Sequence, residues 1–389
     1  MKLLSAAGRS PGAAWDEFAE RVAAGTPSGR DRGADALRAL AIIGVIAGHW
    51  LVTAWMIDAA GHVRVASPLT YMPGLTPASW VFQTLAVFFF VGGYAADRSL
   101  ARTADARRWL LGRTRRLLVP VGPLLLAWVL LLLPLAGAGL PVGSLRSIAT
   151  PALGPLWFLL VFGLLTAATP LLSKARPLPL ACVLVALVLV VDVVRFGLGG
   201  PGWLGWENLA TGWAVPYVLG IAWARGALAG RRVAAAMLAG GAAGTALLVL
   251  VFGYPASMVG VTGARVSNLS PPTLAAVCFG VAQIGLALLL HRPLTALMRR
   301  PRVWAAVVVA NLSAMTVFLW HQTALTVIML AGLPFGSAPG LLARPDSVTW
   351  LLQRLSWLPL AAALVALACV YFSRRDRSAT RQGRLNHAP

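Results

Sequence analysis

Arg38 and His49 stand eleven residues apart in a run that is otherwise almost wholly apolar. At 100° per residue that spacing is three turns plus about 20°, so both side chains fall on one face of a helix. The rise between them is roughly 16 Å. The two residue types suit different tasks. A guanidinium grips phosphate oxygens in a fixed fork geometry. An imidazole that is neutral near pH 7 can take a proton from a hydroxyl. Asp35, at i, i+3 from Arg38, can pair with it and also favours the positive end of a helix. If the helix spans a bilayer, Arg38 sits at one interface and His49 lies deep in the hydrocarbon. A histidine there is costly without a partner or a water-filled cavity. The plainer alternatives are a topogenic anchor for Arg38 and a helix–helix hydrogen bond for His49.

A second basic pair lies at Arg113 and Arg116, also i, i+3, at the start of an apolar stretch. Two arginines on one face of a helix start, where backbone N–H groups also favour an anion, suit a polyphosphate. Charge that sets topology explains the rest of the cluster around them. Together the residues suggest a ligand with a charged head on Arg38, Arg113 and Arg116. A thin arm would run roughly 16 Å inward to a reactive end at His49. Acyl-CoA has that shape. His49 would then deprotonate an acceptor hydroxyl, and the alkoxide would attack the thioester. The oxyanion donors are not legible.

Other polar and aromatic residues are less specific. Trp157, in Pro155-Leu156-Trp157-Phe158-Leu159, opens an apolar segment as interfacial aromatics often do. His321 follows Trp320 in a long apolar run, where a helix–helix hydrogen bond competes with a role in chemistry. Asp192 and Arg195 form another i, i+3 pair, and Gln83, Gln283 and Asn311 read as polar glue between helices. Gly92 and Gly93, after Phe88-Phe89-Phe90, permit close helix approach.

The elements that must position these groups are membrane helices. The chain of 389 residues is 58% hydrophobic with a mean hydropathy of +0.76. Its apolar residues come in blocks long enough to span a bilayer. Ten spanning segments are expected, at 36–57, 78–97, 117–137, 153–172, 178–194, 209–228, 233–254, 272–291, 303–330 and 349–372. This is an all-α integral membrane protein. The net charge of +21 would suggest nucleic acid in a soluble domain, but the arginines cluster between apolar blocks. Alternating the segments puts 27 of the 33 Lys and Arg on the side of the N-terminus and six on the other. That bias predicts both termini in the cytoplasm. The expected organisation is a cytoplasmic tail at 1–34, a membrane domain at 35–372 and a basic tail at 373–389. The tail lacks the apolar core of a cleavable signal peptide, and Trp15 to Val22 could form a short amphipathic helix at the membrane surface. Cys182, Cys278 and Cys369 share no spacing that suits a disulfide framework or a metal site. The loop from Tyr254 to Pro272, rich in Gly, Ser, Asn and Pro, could be ordered over a cavity mouth.

These residues resemble the acyltransferase family 3 membrane proteins. The family's Arg, ten residues, His signature is similar to Arg38 to His49, with Asp35-Ala36-Leu37-Arg38 as its lead-in. Its Arg-x-x-Arg matches Arg113 to Arg116. Its Phe-Phe-x-x-Gly/Ser-Gly stretch resembles Phe89 to Gly93, and its Trp-Phe/Tyr-Leu motif resembles Trp157 to Leu159. A late Tyr-x-x-His-like motif resembles Phe318 to His321. The resemblance runs over about residues 30–372, and the Trp-rich composition looks like an actinobacterial branch. It implies His49 as the catalytic residue and the three arginines as the acyl-CoA site, with Asp35, Trp157 and His321 in support. It implies transfer of an acetyl or similar group from acyl-CoA to a hydroxyl of a carbohydrate or natural product at the plasma membrane. The chain departs from the family in lacking a His just before the Trp157 motif and in having Gly92 where many members have Ser.

A transporter or exporter of a sugar-like or acylated compound, with the buried histidine as proton relay, is the competing class. It would show pH-driven flux without consuming acyl-CoA. The acyl chain, the acceptor, its side of entry and the oligomeric state are not legible.

Overall fold

The computed structural model describes residues 10–336 and 338–385. Residues 1–9 of the expected N-terminal tail and 386–389 of the expected C-terminal tail lie outside the described residues. The chain folds as helices α1 (Pro11–Ala24) and α2 (Arg32–Val52), then a hairpin of β1 (Ala54–Ile57) and β2 (Val63–Ala66). Short helices α3 (Pro68–Tyr71) and α4 (Ser79–Phe82) follow, then α5 (Leu85–Leu100), α6 (Ala106–Leu118), α7 (Val121–Gly137), α8 (Val142–Leu153) and α9 (Leu156–Leu172). The rest are α10 (Pro177–Asp192), α11 (Glu207–Ala224), α12 (Arg231–Leu250), α13 (Leu274–Leu297), α14 (Pro301–Gly332) and α15 (Val348–Leu385).

Among the described residues, eight helical stretches are long and apolar enough to cross a membrane, or nine if the pair α8 and α9, bent by 40°, is one span. Nine of the ten expected segments correspond to these. The tenth, at 209–228, folds as the 18-residue α11 but is too polar to pass the same test. The reason is its position. Α11 is the buried centre of the bundle, with Asn208, Trp213 and Tyr217 all enclosed by protein. A helix shielded over most of its surface does not need an apolar exterior. It runs parallel to α5: Trp213 stacks on Phe89 at 5.1 Å at one end, and Arg225 pairs with Asp97 at 2.8 Å at the other. The two backbones meet through glycine. A Cβ on Gly93 would lie 2.0 Å from the Tyr217 carbonyl oxygen, and one on Gly220 would lie 1.9 Å from that of Phe90. The close approach expected at Gly93 is therefore present, and Gly92 faces the ring of Phe162.

The boundaries differ from expectation at several places, among them the segment expected at 78–97, which is broken at Gln83 and Thr84 between α4 and α5. The first segment was expected to run to residue 57, but α2 ends at Val52 and Ala54–Ile57 pairs antiparallel with Val63–Ala66. Ala54-Trp55-Met56-Ile57 continues the apolar pattern, yet its apolar character serves a strand packed against Trp350 and the neighbouring core. As a result His49 lies in the last turn of α2 rather than at its middle. Next, α15 continues as helix through Leu385 instead of stopping near residue 372. Finally, the amphipathic helix expected at Trp15 to Val22 forms within α1, and its Val22 and Ala23 pack on Ala36, Met298 and Trp304. Trp304 Nε1 donates to Thr26 Oγ1 at 2.7 Å, and Asp16 pairs with Arg302, so α1 is tied to the start of α14.

The N-terminus of α2 is fixed by Asp31. Its carboxylate accepts from Ala34 N at 2.9 Å as an N-cap, from Tyr94 Oη at 2.7 Å, and contacts His291 Nε2 at 2.8 Å. Burial works against its charge, but these hydrogen bonds outweigh it and hold the carboxyl down at about 2. One residue thus joins α2, α5 and α13.

Candidate active site

Helix α2 carries the site along one face, and α14 supplies the partner of each end. At the N-terminal end, Arg38 Nε donates to Asn311 Oδ1 at 2.7 Å and Nη2 lies 3.4 Å from Asp35 Oδ1. Asn311 Nδ2 in turn donates to the Asp35 carbonyl at 2.9 Å, so one amide clamps both the guanidinium and the helix backbone. Asp35 does pair with Arg38, but its closer partner is Arg30 at 2.6 Å. At the other end, His49 Nδ1 lies 2.8 Å from His321 Nε2, with the rings stacked at 5.1 Å and 11°. The matched order of these contacts means that α2 and α14 run in the same direction.

The imidazole pair has only one consistent neutral arrangement. His321 Nδ1 lies 2.6 Å from the Phe318 carbonyl oxygen, which can only accept. The proton of neutral His321 is therefore on Nδ1, and its Nε2 must accept. Nδ1 of His49 then donates to it, which leaves Nε2 of His49 unprotonated. That nitrogen is a base. His321 itself is enclosed, 1% exposed, and Trp50 Nε1 holds its backbone carbonyl at 2.9 Å. It is the arrangement by which a second group fixes the tautomer of a catalytic histidine.

Two cavities meet at this face. The first, about 370 Å³, is lined by Arg38, Arg113, Arg116 and Asn311 and by an apolar wall that includes Phe88, Phe158 and Phe318. The second, about 390 Å³, is lined by His49, by the segment from Pro68 to Gln83, and by Leu351 and Leu355 of α15. Val45 and Leu85 line both. The three arginines singled out in the sequence thus come together from α2 and α6, although 75 residues separate Arg38 from Arg113; the expected helix start is absent there, because Arg113 and Arg116 lie in the C-terminal half of α6. Arg113 also lies over the Trp109 ring at 5.4 Å. His49 and the arginines flank the shared wall rather than sharing one chamber. The loop from Tyr254 to Pro272 reaches this region as expected: Val259 and Leu269 line the second cavity. Asn268 ties that loop together through Pro255 O, Ser257 O and Thr273 Oγ1.

Trp157 is not brought to the site. It lies 6.2 Å from Trp213 in the aromatic cluster behind α9 and lines neither cavity, whereas its neighbours Phe158 and Leu159 line the first. Asn311, read only as polar glue between helices, and Trp50 and the Phe318 carbonyl, given no part, were not placed at the site from sequence. A signal for one of them existed: Asn311 and His321 are ten residues apart on one helix, close to the spacing of Arg38 and His49 on the other.

The site thus sets an arginine-lined cavity and a partly buried imidazole on either side of one shared wall in an all-α membrane protein. The chain belongs to acyltransferase family 3: the family's acyltransferase domain matches residues 31–374. It is a multi-pass membrane acyltransferase. No curated protein and no solved structure matches it.

Proposed function

We propose that this chain is an O-acyltransferase of the plasma membrane that takes an acetyl or similar acyl group from acyl-CoA and places it on a hydroxyl of a carbohydrate or natural product. The observation that carries this reading is the meeting of the two cavities at Val45 and Leu85, arginines on one side and His49 on the other. In this account Arg38, Arg113 and Arg116 bind the donor's phosphates, with Asn311 and Asp35 holding Arg38 in place. The pantetheine arm lies along the apolar wall of the first cavity, and the thioester reaches the shared wall. His49 Nε2 takes the proton of the acceptor hydroxyl as its oxygen attacks the thioester carbonyl. The tetrahedral intermediate collapses, the C–S bond breaks, and the thiolate of CoA leaves. The proton on His49 goes to that thiolate. His321 holds the tautomer that exposes the base and accepts a hydrogen bond from the imidazolium. The arginine-rich side is assigned to the cytoplasm, where acyl-CoA is made, and the termini to the same side. Α11, lying beside α5 along its length, supports counting it as a crossing, which keeps ten.

The direct test supplies acetyl-CoA and longer acyl-CoAs to purified protein in nanodiscs with hydroxylated acceptors. Thiol release and ester product are then measured together. Ester formed in step with thiol supports the reading. Tight acyl-CoA binding with neither product from any acceptor would oppose it, as would pH-driven acceptor flux without acyl-CoA consumption.

A further inference from the structure

The second cavity carries information about the acceptor. It has about 390 Å³, and apart from His49 only Ser79 and Gln83 among its lining residues have polar side chains. Ser79 is not free: its Oγ donates to Thr76 O at 2.5 Å and accepts from Met258 N at 3.0 Å. Gln83 is only 4% exposed, and its Oε1 has no hydrogen-bond partner among the described residues. The remaining wall is hydrocarbon, including Leu51, Val52, Leu69, Phe82, Val259 and Leu269. Among the cavity's lining side chains, His49 and Gln83 are therefore the polar groups left to meet a ligand.

That lining discriminates between acceptor classes. A bare hexose would bring several hydroxyls beyond the one that reacts, and all but the one or two that Gln83 could meet would lose their water with no protein partner. A buried hydroxyl left without a hydrogen bond costs roughly an order of magnitude or more in affinity. A molecule with one hydroxyl on a hydrocarbon body loses nothing of the kind, because His49 Nε2 accepts its single proton. The route of entry points the same way. Leu351 and Leu355 of α15 form part of the wall, and Leu355 is 48% exposed, next to Leu352 at 62% and Val348 at 64%. This is the apolar outer face of a spanning helix, which must contact lipid, so the cavity's rim joins the lipid-facing surface.

Resting on the proposed acyl transfer, we infer that the acceptor is a hydroxyl-bearing amphiphile whose hydrocarbon part enters the second cavity sideways from the bilayer, past Leu355. Specificity for it comes from the segment Pro68 to Phe82 and from Leu351 and Leu355. A polar group elsewhere on the acceptor, such as a sugar, would remain outside the cavity.

The test uses the full chain in nanodiscs with acetyl-CoA at saturation, and compares 1-dodecanol with glucose as acceptors. Ester product is read by mass spectrometry and acetyl-CoA affinity by direct binding. A long-chain alcohol carrying a diazirine reports occupancy of the cavity by photolabelling, independently of turnover. The inference predicts dodecyl acetate, no acetylated glucose, and labelling of peptides from Pro68 to Phe82 that excess dodecanol removes and glucose does not. Leu355→Trp should raise the KM for dodecanol at least tenfold and reduce labelling, with acetyl-CoA affinity unchanged. Acetylation of glucose in preference to dodecanol would overturn the inference while leaving the acyltransferase reading intact. So would labelling spread evenly over the lipid-facing surface. A third contrary result is turnover that rises with acyl-chain length in wild type and loses that dependence in Leu355→Trp, because the cavity would then hold the donor's chain. If acetyl-CoA neither binds nor is consumed, the reading beneath it fails first, and the inference with it.

Discussion

His49 owes its basicity at Nε2 to a carbonyl two contacts away. The Phe318 oxygen fixes the proton of His321, and His321 fixes that of His49. Loss of the relay should therefore impair turnover without touching donor binding. His321→Ala is expected to lower kcat by about 10²-fold or more, in the range of losses seen when a catalytic histidine loses its tautomer. The Kd for acyl-CoA should stay within twofold. His321→Gln, which can still accept from His49 Nδ1 through Oε1, should recover part of the rate. A wild-type kcat in His321→Ala would mean that the pair is only a packing contact. Sequence spacing placed Arg38 and His49 on one helical face because that relation is local. The His49–His321 contact spans 272 positions, and no local pattern reports which of nine other apolar segments lies alongside.

Helices are held here by two kinds of joint, and each has a measurable signature. The first is backbone contact through glycine between α5 and α11. Gly220→Ala puts a Cβ 1.9 Å from the Phe90 oxygen and 2.8 Å from Tyr94 N, where backbone cannot yield as a side chain can. It should cost at least about 2 kcal/mol, since overpacking of a tight core typically costs 1–3. Gly122→Ala, with nothing within 4 Å, serves as the control in the same thermal-unfolding measurement. The second joint is Asp31. Its folded pKa of about 2 lies below the ordinary value near 3.9, so it favours the folded state above about pH 4. That contribution is lost as pH falls through about 2. Asp31→Asn, which keeps the N-cap, should flatten the fall of Tm between pH 4 and pH 2 that wild type shows. An unchanged slope would remove Asp31 from the acid response. The Gly92-Gly93 pair was legible as a close-approach motif. The hairpin was not, because Trp55, Met56 and Ile57 extend the apolar run of α2 and hydropathy cannot tell a buried strand from the end of a span.

Across the whole molecule, the direction of the helices and the distribution of arginine give one account. Α11 escaped the composition test because hydropathy reports contact with lipid, and α11 has almost none. The expected segment at 209–228 coincides with this helix, because length and charge alternation, rather than mean hydropathy, pointed to it. If all ten cross, Ala59 in the hairpin turn and Ala104 between α5 and α6 lie on opposite faces. With Cys182, Cys278 and Cys369 replaced by Ala, Ala104→Cys should react with an impermeant maleimide only from the cytoplasmic side. Ala59→Cys should react only from the other side. Labelling of both from one side would break the topology, and with it the idea that donor and acceptor approach from different ends of α2.

The division of labour along α2 is the central claim, and steady-state kinetics with direct donor binding tests it most closely. In nanodiscs with one accepted acceptor, wild type is compared with His49→Ala and Arg113→Ala. His49→Ala should lose 10²-fold or more in kcat with acyl-CoA Kd unchanged, as expected for removal of a general base. Arg113→Ala should raise Kd and KM for acyl-CoA about tenfold or more, with kcat at saturation within a fewfold of wild type. A kcat retained in His49→Ala, or donor affinity indifferent to Arg113, would contradict the account.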